Sequence, residues 1–294
     1  MCDVLIFGAR SWIGFRLAEA FTSRFPDWSI VGTSSTSLQS DDRQSGDQIS
    51  PLLVKAATSG DFSTLVHDMR PRIVFNLLRG EDQQGLDIHS CIARDCFELG
   101  IRYVYASSAL ALDGYSKDAV LTEDIPPLSV TPYGHFKGQC ENYLTSTFPG
   151  DDWLVLRFSS IQGWSPWKST RNEVFLKKLA NGDSVTVDLG IFQNRLLDTV
   201  FATAVVDLAC NTLGKGVFHL GAEDSSEELF FLRAVAIAFG LDDSLVHAGK
   251  RNDLNLGLSC SRLHGSTNDR WRRNECQTIE GLLAVPELQR WRNG

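Results

Sequence analysis

The sequence predicts an α/β protein, a Rossmann-type doubly wound parallel sheet with a smaller C-terminal lobe. Three observations carry this prediction. Short apolar runs alternate with amphipathic stretches over most of the chain, the pattern of strands separated by crossover helices. The runs are continuously apolar, as in strands buried on both faces. The first run ends at a glycine and a second glycine follows six residues later, at Gly8 and Gly14.

In chain order, the expected strands are residues 4–7, 29–32, 52–55, 73–77, 103–106, 153–158 and 217–220. The expected helices are residues 11–24, 61–69, 87–99, 133–146, 173–181, 202–213 and 226–239. The first helix carries Trp12, Leu17, Ala18 and Phe21 as its apolar side. Residues 32–51, rich in Ser, Asp and Gln, read as a polar loop. Residues 163–171 form a second irregular zone, holding Trp164 and Trp167, and the tail after Gly249 reads as polar and irregular. No sharp linker divides the chain, but regular alternation weakens after Phe158. The expected division is therefore a dinucleotide-binding unit over 1–162 with a return segment at 194–222. A substrate lobe takes 163–193 and 223–294.

Size and composition narrow the function. The chain has 294 residues, 43% hydrophobic and 22% charged, as expected for a globular α/β protein. A net charge of −8 argues against nucleic acid or an anionic membrane as the main partner. No apolar run approaches the ~20 residues of a membrane helix. No basic segment precedes an N-terminal apolar stretch, so no secretory signal is expected. Seven cysteines without a C-x-x-C pair fit a reducing cytoplasm. The six histidines lack metal-ligand spacing, so no metal is expected, and His219 reads as a satisfied core residue.

Two motifs carry chemistry. Gly8, Arg10, Ser11, Trp12, Ile13 and Gly14 form a strand-turn-helix start, where free N–H groups and the helix dipole favour a pyrophosphate. Ser11 stands where a middle glycine is common. Tyr133 lies four residues before Lys137, which places both on one helix face. A lysine beside a phenol lowers its pKa, and such a phenol can pass a proton to a carbonyl oxygen. Ser108, after the fifth strand, can hold that same oxygen. The candidate catalytic residues are therefore Ser108, Tyr133 and Lys137, with Lys137 also placed to hold a ribose.

With these motifs in order, the chain resembles an extended short-chain dehydrogenase/reductase, and within that group the dTDP-4-dehydrorhamnose reductase branch. The segment from Ser107 to Gly114 stands where that branch carries S-T-D-Y-V-F-D-G. Glu123-Asp124-Ile125-Pro126 and the Tyr133-Gly134-x-x-Lys137-x-x-x-Glu141 pattern follow as in the family. Leu156-Arg157, Val206-Asp207-Leu208-Ala209 and Gly216 to Gly221 extend the likeness across most of the chain. Departures are Ala109 and Leu110 after Ser108, and Leu77-Leu78-Arg79 in place of a small-residue stretch after Asn76. Dehydratases of the group place an Asp-Glu pair where Ala109 and Leu110 stand, so dehydration is not expected.

Arg10 stands as in the turn of the related GDP-fucose synthase group, where it faces the adenosine end of the cofactor. No acid occurs in Thr33-Ser34-Ser35-Thr36 to repel a 2′-phosphate. The candidate cofactor contacts are thus the turn residues with Ser34, Ser35, Leu77 and Lys137, and the expected cofactor is NADPH ahead of NADH. The resemblance implies reduction of a keto group on a nucleotide-activated deoxysugar. An epimerase and a non-catalytic subunit like the regulatory subunit of methionine adenosyltransferase remain open. It also implies a homodimer through the helices at 87–99 and 133–146, where Ile88, Cys91, Ile92, Cys96 and Leu99 form an apolar stripe. One of Arg195, Arg251 and Arg262 could clamp a substrate pyrophosphate. Trp164 and Trp167 could stack on a base or sugar.

Overall fold

The computed structural model describes residues 2–34, 52–211 and 214–292. Its strands are β1 (Val4–Phe7), β2 (Ile30–Ser34), β3 (Leu52–Lys55), β4 (Ile73–Asn76), β5 (Arg102–Ala106), β6 (Trp153–Phe158), β7 (Ser160–Gln162), β8 (Val185–Gln193), β9 (Arg195–Leu197), β10 (Gly216–Leu220), β11 (Ser226–Glu227) and β12 (Val246–Leu256). The helices are α1 (Trp12–Arg24), α2 (Ser59–Met69), α3 (Gln83–Glu98), α4 (Pro132–Thr147), α5 (Arg171–Ala180), α6 (Asp198–Cys210), α7 (Glu228–Ala238), α8 (Ser261–Ser266), α9 (Glu275–Ala284) and α10 (Pro286–Gln289).

Seven strands form one parallel sheet in the order β10-β6-β5-β4-β1-β2-β3. The chain reverses its direction of travel across the sheet between β1 and β4. In open parallel sheets the crevice outside the strand C-termini at that point is the ligand site. β1 and β4 are buried at every position and apolar at all but Asn76, because α1 and α6 cover one face and α2, α3 and α4 the other. Leu17, Phe21, Phe201 and Val205 fill the first layer. Val66, Ile92, Cys96, Phe136 and Leu144 fill the second.

A three-stranded sheet, β11-β8-β12, packs with α5, α7 and α9 around Leu176, Leu179, Phe231, Val235 and Leu282. β7 and β9 pair beside it. The region after Gly249 is more regular than expected: β12 runs to Leu256, and α8, α9 and α10 follow. α9 forms because Asn274 and Gln277 make a reciprocal capping box. The polar loop expected at 32–51 lies mostly outside the described residues, as does Ser35.

Much of the α3 stripe packs on the core, with Ile88 and Leu99 partly buried against it and Cys91 half-buried outside it. Ile92 and Cys96 have no exposure, and they pack with β5 and α4. The outward positions of α3 and α4, Asp87, Arg94, Glu98, His135, Gln139 and Asn142, are polar. Among the described residues no helix is long and apolar enough to cross a membrane. All seven cysteines are free.

Candidate active site

The site begins at the turn between β1 and α1. Gly8 has φ +87°, a conformation glycine adopts without steric cost. Its N–H donates to Thr33 Oγ1 at 3.2 Å, and the Ala9 N–H donates to the Thr33 carbonyl. A Cβ on Gly14 would lie 2.6 Å from the Gly8 carbonyl oxygen, so only glycine lets the helix start this close to the turn. Ser11 caps α1 by accepting the Gly14 N–H at 3.0 Å. The N–H groups of Trp12 and Ile13 have no helical carbonyl to reach, and the first turn carries no acidic residue. This donor set suits an anionic diphosphate.

Two adjoining cavities extend from the turn. The first, about 510 Å³, is bordered by Gly8, Arg10, Ser11, Thr33, Ser34 and Leu77, with Ala56, Phe62 and Phe136 also on its wall. The second, about 250 Å³, is bordered by Ser11, Trp12, Ile13, Leu77, Tyr133 and Lys137, with Ser107 and Phe158. Leu77, Leu78 and Arg79 border both. The described cofactor candidates other than Gly14 therefore line these adjoining cavities along the strand C-termini. The floor of the first is held by Asn76, which donates to Tyr103 Oη at 2.8 Å and accepts the Leu78 N–H at 3.0 Å.

Helix α4 delivers Tyr133 and Lys137. Asp113 accepts from the Val130 N–H and the Thr131 hydroxyl, both at 2.7 Å, and Thr131 in turn caps α4. Pro132 supplies a first helical residue with no N–H to satisfy. Gly134 is required because a Cβ there would collide with the Leu110 carbonyl and the Ser129 hydroxyl. Lys137 is 3% exposed, and its Nζ donates to the Ala106 carbonyl at 2.7 Å. Nζ lies 5.6 Å from the Tyr133 ring centroid and 4.7 Å from that of Tyr105. Burial pulls the Lys137 pKa down to about 8.

The expected electrostatics of Tyr133 need correction. Its pKa is raised, because burial of the phenolate outweighs nearby charge. The cation that opposes this is Arg79, whose guanidinium stands 5.2 Å from the ring centroid and pairs with Glu81. Arg79 was visible in the sequence only as a departure from small residues. Nothing local connects it to Tyr133. Among the described residues the Tyr133 hydroxyl makes no hydrogen bond, and its ring borders the second cavity.

Ser108 does not border the second cavity. Its hydroxyl accepts the Leu110 N–H at 3.1 Å and caps a 3₁₀ turn at Ala109–Leu112. Ser107 borders the cavity instead, and its hydroxyl donates to Glu141. Glu141 is locked to Arg157 at 2.6 Å with both side chains 1% exposed. Arg157 also meets the Ile125 carbonyl and His219, whose Nδ1 lies 3.0 Å from the Ser259 carbonyl. His219 is thus the satisfied core residue expected.

The three arginines considered as clamps are engaged elsewhere. Arg195 is fully buried between Glu228 and Glu275. Arg262 binds the Val217 carbonyl and Asp124, and Arg251 pairs with Asp253 on the surface. A further cavity of about 510 Å³ lies in the second lobe among Gln162, Arg171, Lys178, Asp188 and Gln193. Among the described residues no group of three or more His, Cys, Asp or Glu could hold a metal.

No family model matches the chain, and no curated protein sequence matches it. Solved structures do. A dTDP-glucose 4,6-dehydratase from Bacillus anthracis, in complex with NAD, superposes with TM-score 0.78 at 14% identity, covering 97% of this chain and 96% of that one. A UDP-N-acetylglucosamine 4-epimerase from Bacillus cereus gives 0.75 at 17%, covering 98% and 97%. A dTDP-4-dehydrorhamnose reductase from Bacillus anthracis, in complex with NADP, gives 0.73 at 12%, covering 97% and 99%. These neighbours are extended short-chain dehydrogenase/reductase enzymes. Over nearly its whole length, this chain has their fold.

Proposed function

We propose that the chain is an NADPH-dependent reductase of a keto group on a nucleotide-activated sugar. The observation that carries the reading is the Tyr133 hydroxyl. It makes no bond to the described protein, and its ring borders the cavity that adjoins the diphosphate-binding turn. The turn residues and Leu77 would hold a nicotinamide dinucleotide, with Arg10 and Ser34 at its 2′-phosphate. Such a cofactor supplies a hydride when bound. Tyr133, kept protonated through neutral pH by burial, gives its phenolic proton to the carbonyl oxygen. Lys137 and Arg79 stabilise the phenolate left behind. The second-lobe cavity, with Arg171 and Lys178 on its wall, would take the nucleotide part of the substrate. Neighbours with this fold include enzymes named for dTDP- and UDP-sugars, which supports the substrate class.

The test is consumption of NADPH with a panel of dTDP-, UDP- and GDP-4-keto sugars. Turnover of at least one supports the reading; conversion of a matching 4-hydroxy nucleotide sugar to its C4 epimer, with no net change in cofactor, replaces it with epimerisation. A nucleotide-binding subunit without turnover is the second reading. It is favoured by Ser107, rather than Ser108, standing at the cavity. Tight NADPH binding with no consumption across the panel would establish it.

A further inference from the structure

We infer that Trp167 is a positioning residue for Arg10 and so sets the preference for NADPH over NADH, an inference that rests on the proposed role of Arg10 at the 2′-phosphate. The Arg10 guanidinium lies over the Trp167 ring, 5.2 Å from its centroid. Phe15 meets the same ring edge-on at 6.2 Å and 88°. Arg10 also borders the groove with Thr33 and Ser34. One arginine thus touches both the cofactor groove and the loop that leads into the second lobe.

That loop is held independently of Arg10. The Thr170 hydroxyl donates to the Gly163 carbonyl at 2.8 Å, and the Gly163 N–H donates to Asn172 at 2.9 Å, which closes the segment on itself. Arg16 donates to the Trp164 carbonyl at 3.0 Å. Asp198 Oδ2 accepts from the Trp164 N–H, from Arg16 Nε and from Trp12 Nε1. Trp167 is therefore presented to the turn by bonds that survive the loss of either Arg10 or the indole. A long guanidinium side chain that must be ordered on binding loses affinity for its anion. One already laid on an aromatic face loses less. The stack thus favours the cofactor that carries the extra phosphate and leaves the other nearly unaffected.

Calorimetric affinities for NADPH and NADH, with thermal unfolding as a check on folding, test this in Trp167→Ala, Trp167→Phe, Arg10→Ala and the Arg10→Ala/Trp167→Ala double variant. Trp167→Ala is expected to lower the NADPH/NADH affinity ratio by roughly three- to tenfold, from the ordering of one long side chain. NADH affinity should stay close to wild type. Trp167→Phe restores most of the ratio, and Trp167→Ala adds nothing once Arg10 is gone. If Arg10→Ala lowers the ratio and Trp167→Ala does not, or if Trp167→Ala weakens both cofactors equally, the inference fails while the role of Arg10 stands. If Arg10→Ala leaves the ratio unchanged, the role of Arg10 fails and takes this inference with it. Should Trp167→Ala unfold, Trp167→Tyr against Trp167→Leu decides. Tyrosine must hold the ratio, and leucine, with similar bulk and no π face, must lose it.

Discussion

The burial of Lys137 should have a measurable effect on stability. Its ammonium is 3% exposed and has one hydrogen bond, to the Ala106 carbonyl. Burial lowers its pKa from 10.5 to about 8 in the folded chain. Between those two values the unfolded chain keeps the proton and the folded chain has released it. Stability therefore rises with pH across that window, by about 1.4 kcal/mol per unit. The whole window amounts to roughly 3 kcal/mol, all of it unfavourable to the folded state below pH 8. Replacing Lys137 by Met removes this titration. Urea unfolding of both proteins from pH 7 to 10 should show the variant's relative stability highest near pH 7. The difference should then shift in favour of the parent through pH 8 to 10. Subtraction cancels the buried cysteines and tyrosines away from Lys137; Cys140, whose pKa Lys137 lowers, is replaced by Ala in both proteins. A stability difference that stays flat over this range would show that Lys137 is not desolvated as the fold places it.

Tyr133→Phe should lower turnover on the best substrate by ~10²–10⁴-fold, the usual contribution of a general acid. The melting temperature should hardly change, since the hydroxyl has no partner among the described residues; full turnover in this variant removes Tyr133 as the proton donor. Gly134→Ala drives a Cβ into the Leu110 carbonyl at the start of α4. The expected cost is about 1–3 kcal/mol of stability with a loss of activity, and a variant equal to wild type in both measures would contradict the packing. The expected homodimer would join the polar outward faces of α3 and α4, so its dissociation should increase with salt; light scattering that gives 32.6 kDa at every concentration excludes it.

The parts of the fold that could be read in advance are those whose causes lie within a few residues. The turn between β1 and α1 needs Gly8, Ser11 and Gly14, and all three are local. The Tyr133–Lys137 spacing is local too, and so is the apolar continuity of β1 and β4. β12 escaped notice because most of its residues are exposed or half-buried. It carries Lys250, Arg251, Asn252 and Asp253 without the alternation that marks a half-buried strand. α9 was hidden by the arginines around it and shows only through its capping box.

The site's electrostatics were hidden for a different reason. Charge acts through space, and the sequence gives spacing along the chain. Tyr133 was expected to take its charge from Lys137, one helical turn away, yet that amine is committed to the Ala106 carbonyl. The listening partner is Arg79, brought over the ring by the loop after β4. Asp198 makes the same point more strongly. It is 186 residues from Trp12, yet its Oδ2 accepts from that indole, from Arg16 and from the Trp164 N–H. Its other oxygen, Oδ1, is buried without a partner among the described residues. A half-satisfied carboxylate at the junction of the turn and the second lobe costs stability. It is offset by the three donors that Oδ2 gathers, which join the start of α1 to the loop carrying Trp164 and Trp167. The second lobe is thus tied to the turn after β1 through the one element, α1, whose sequence signal was clearest.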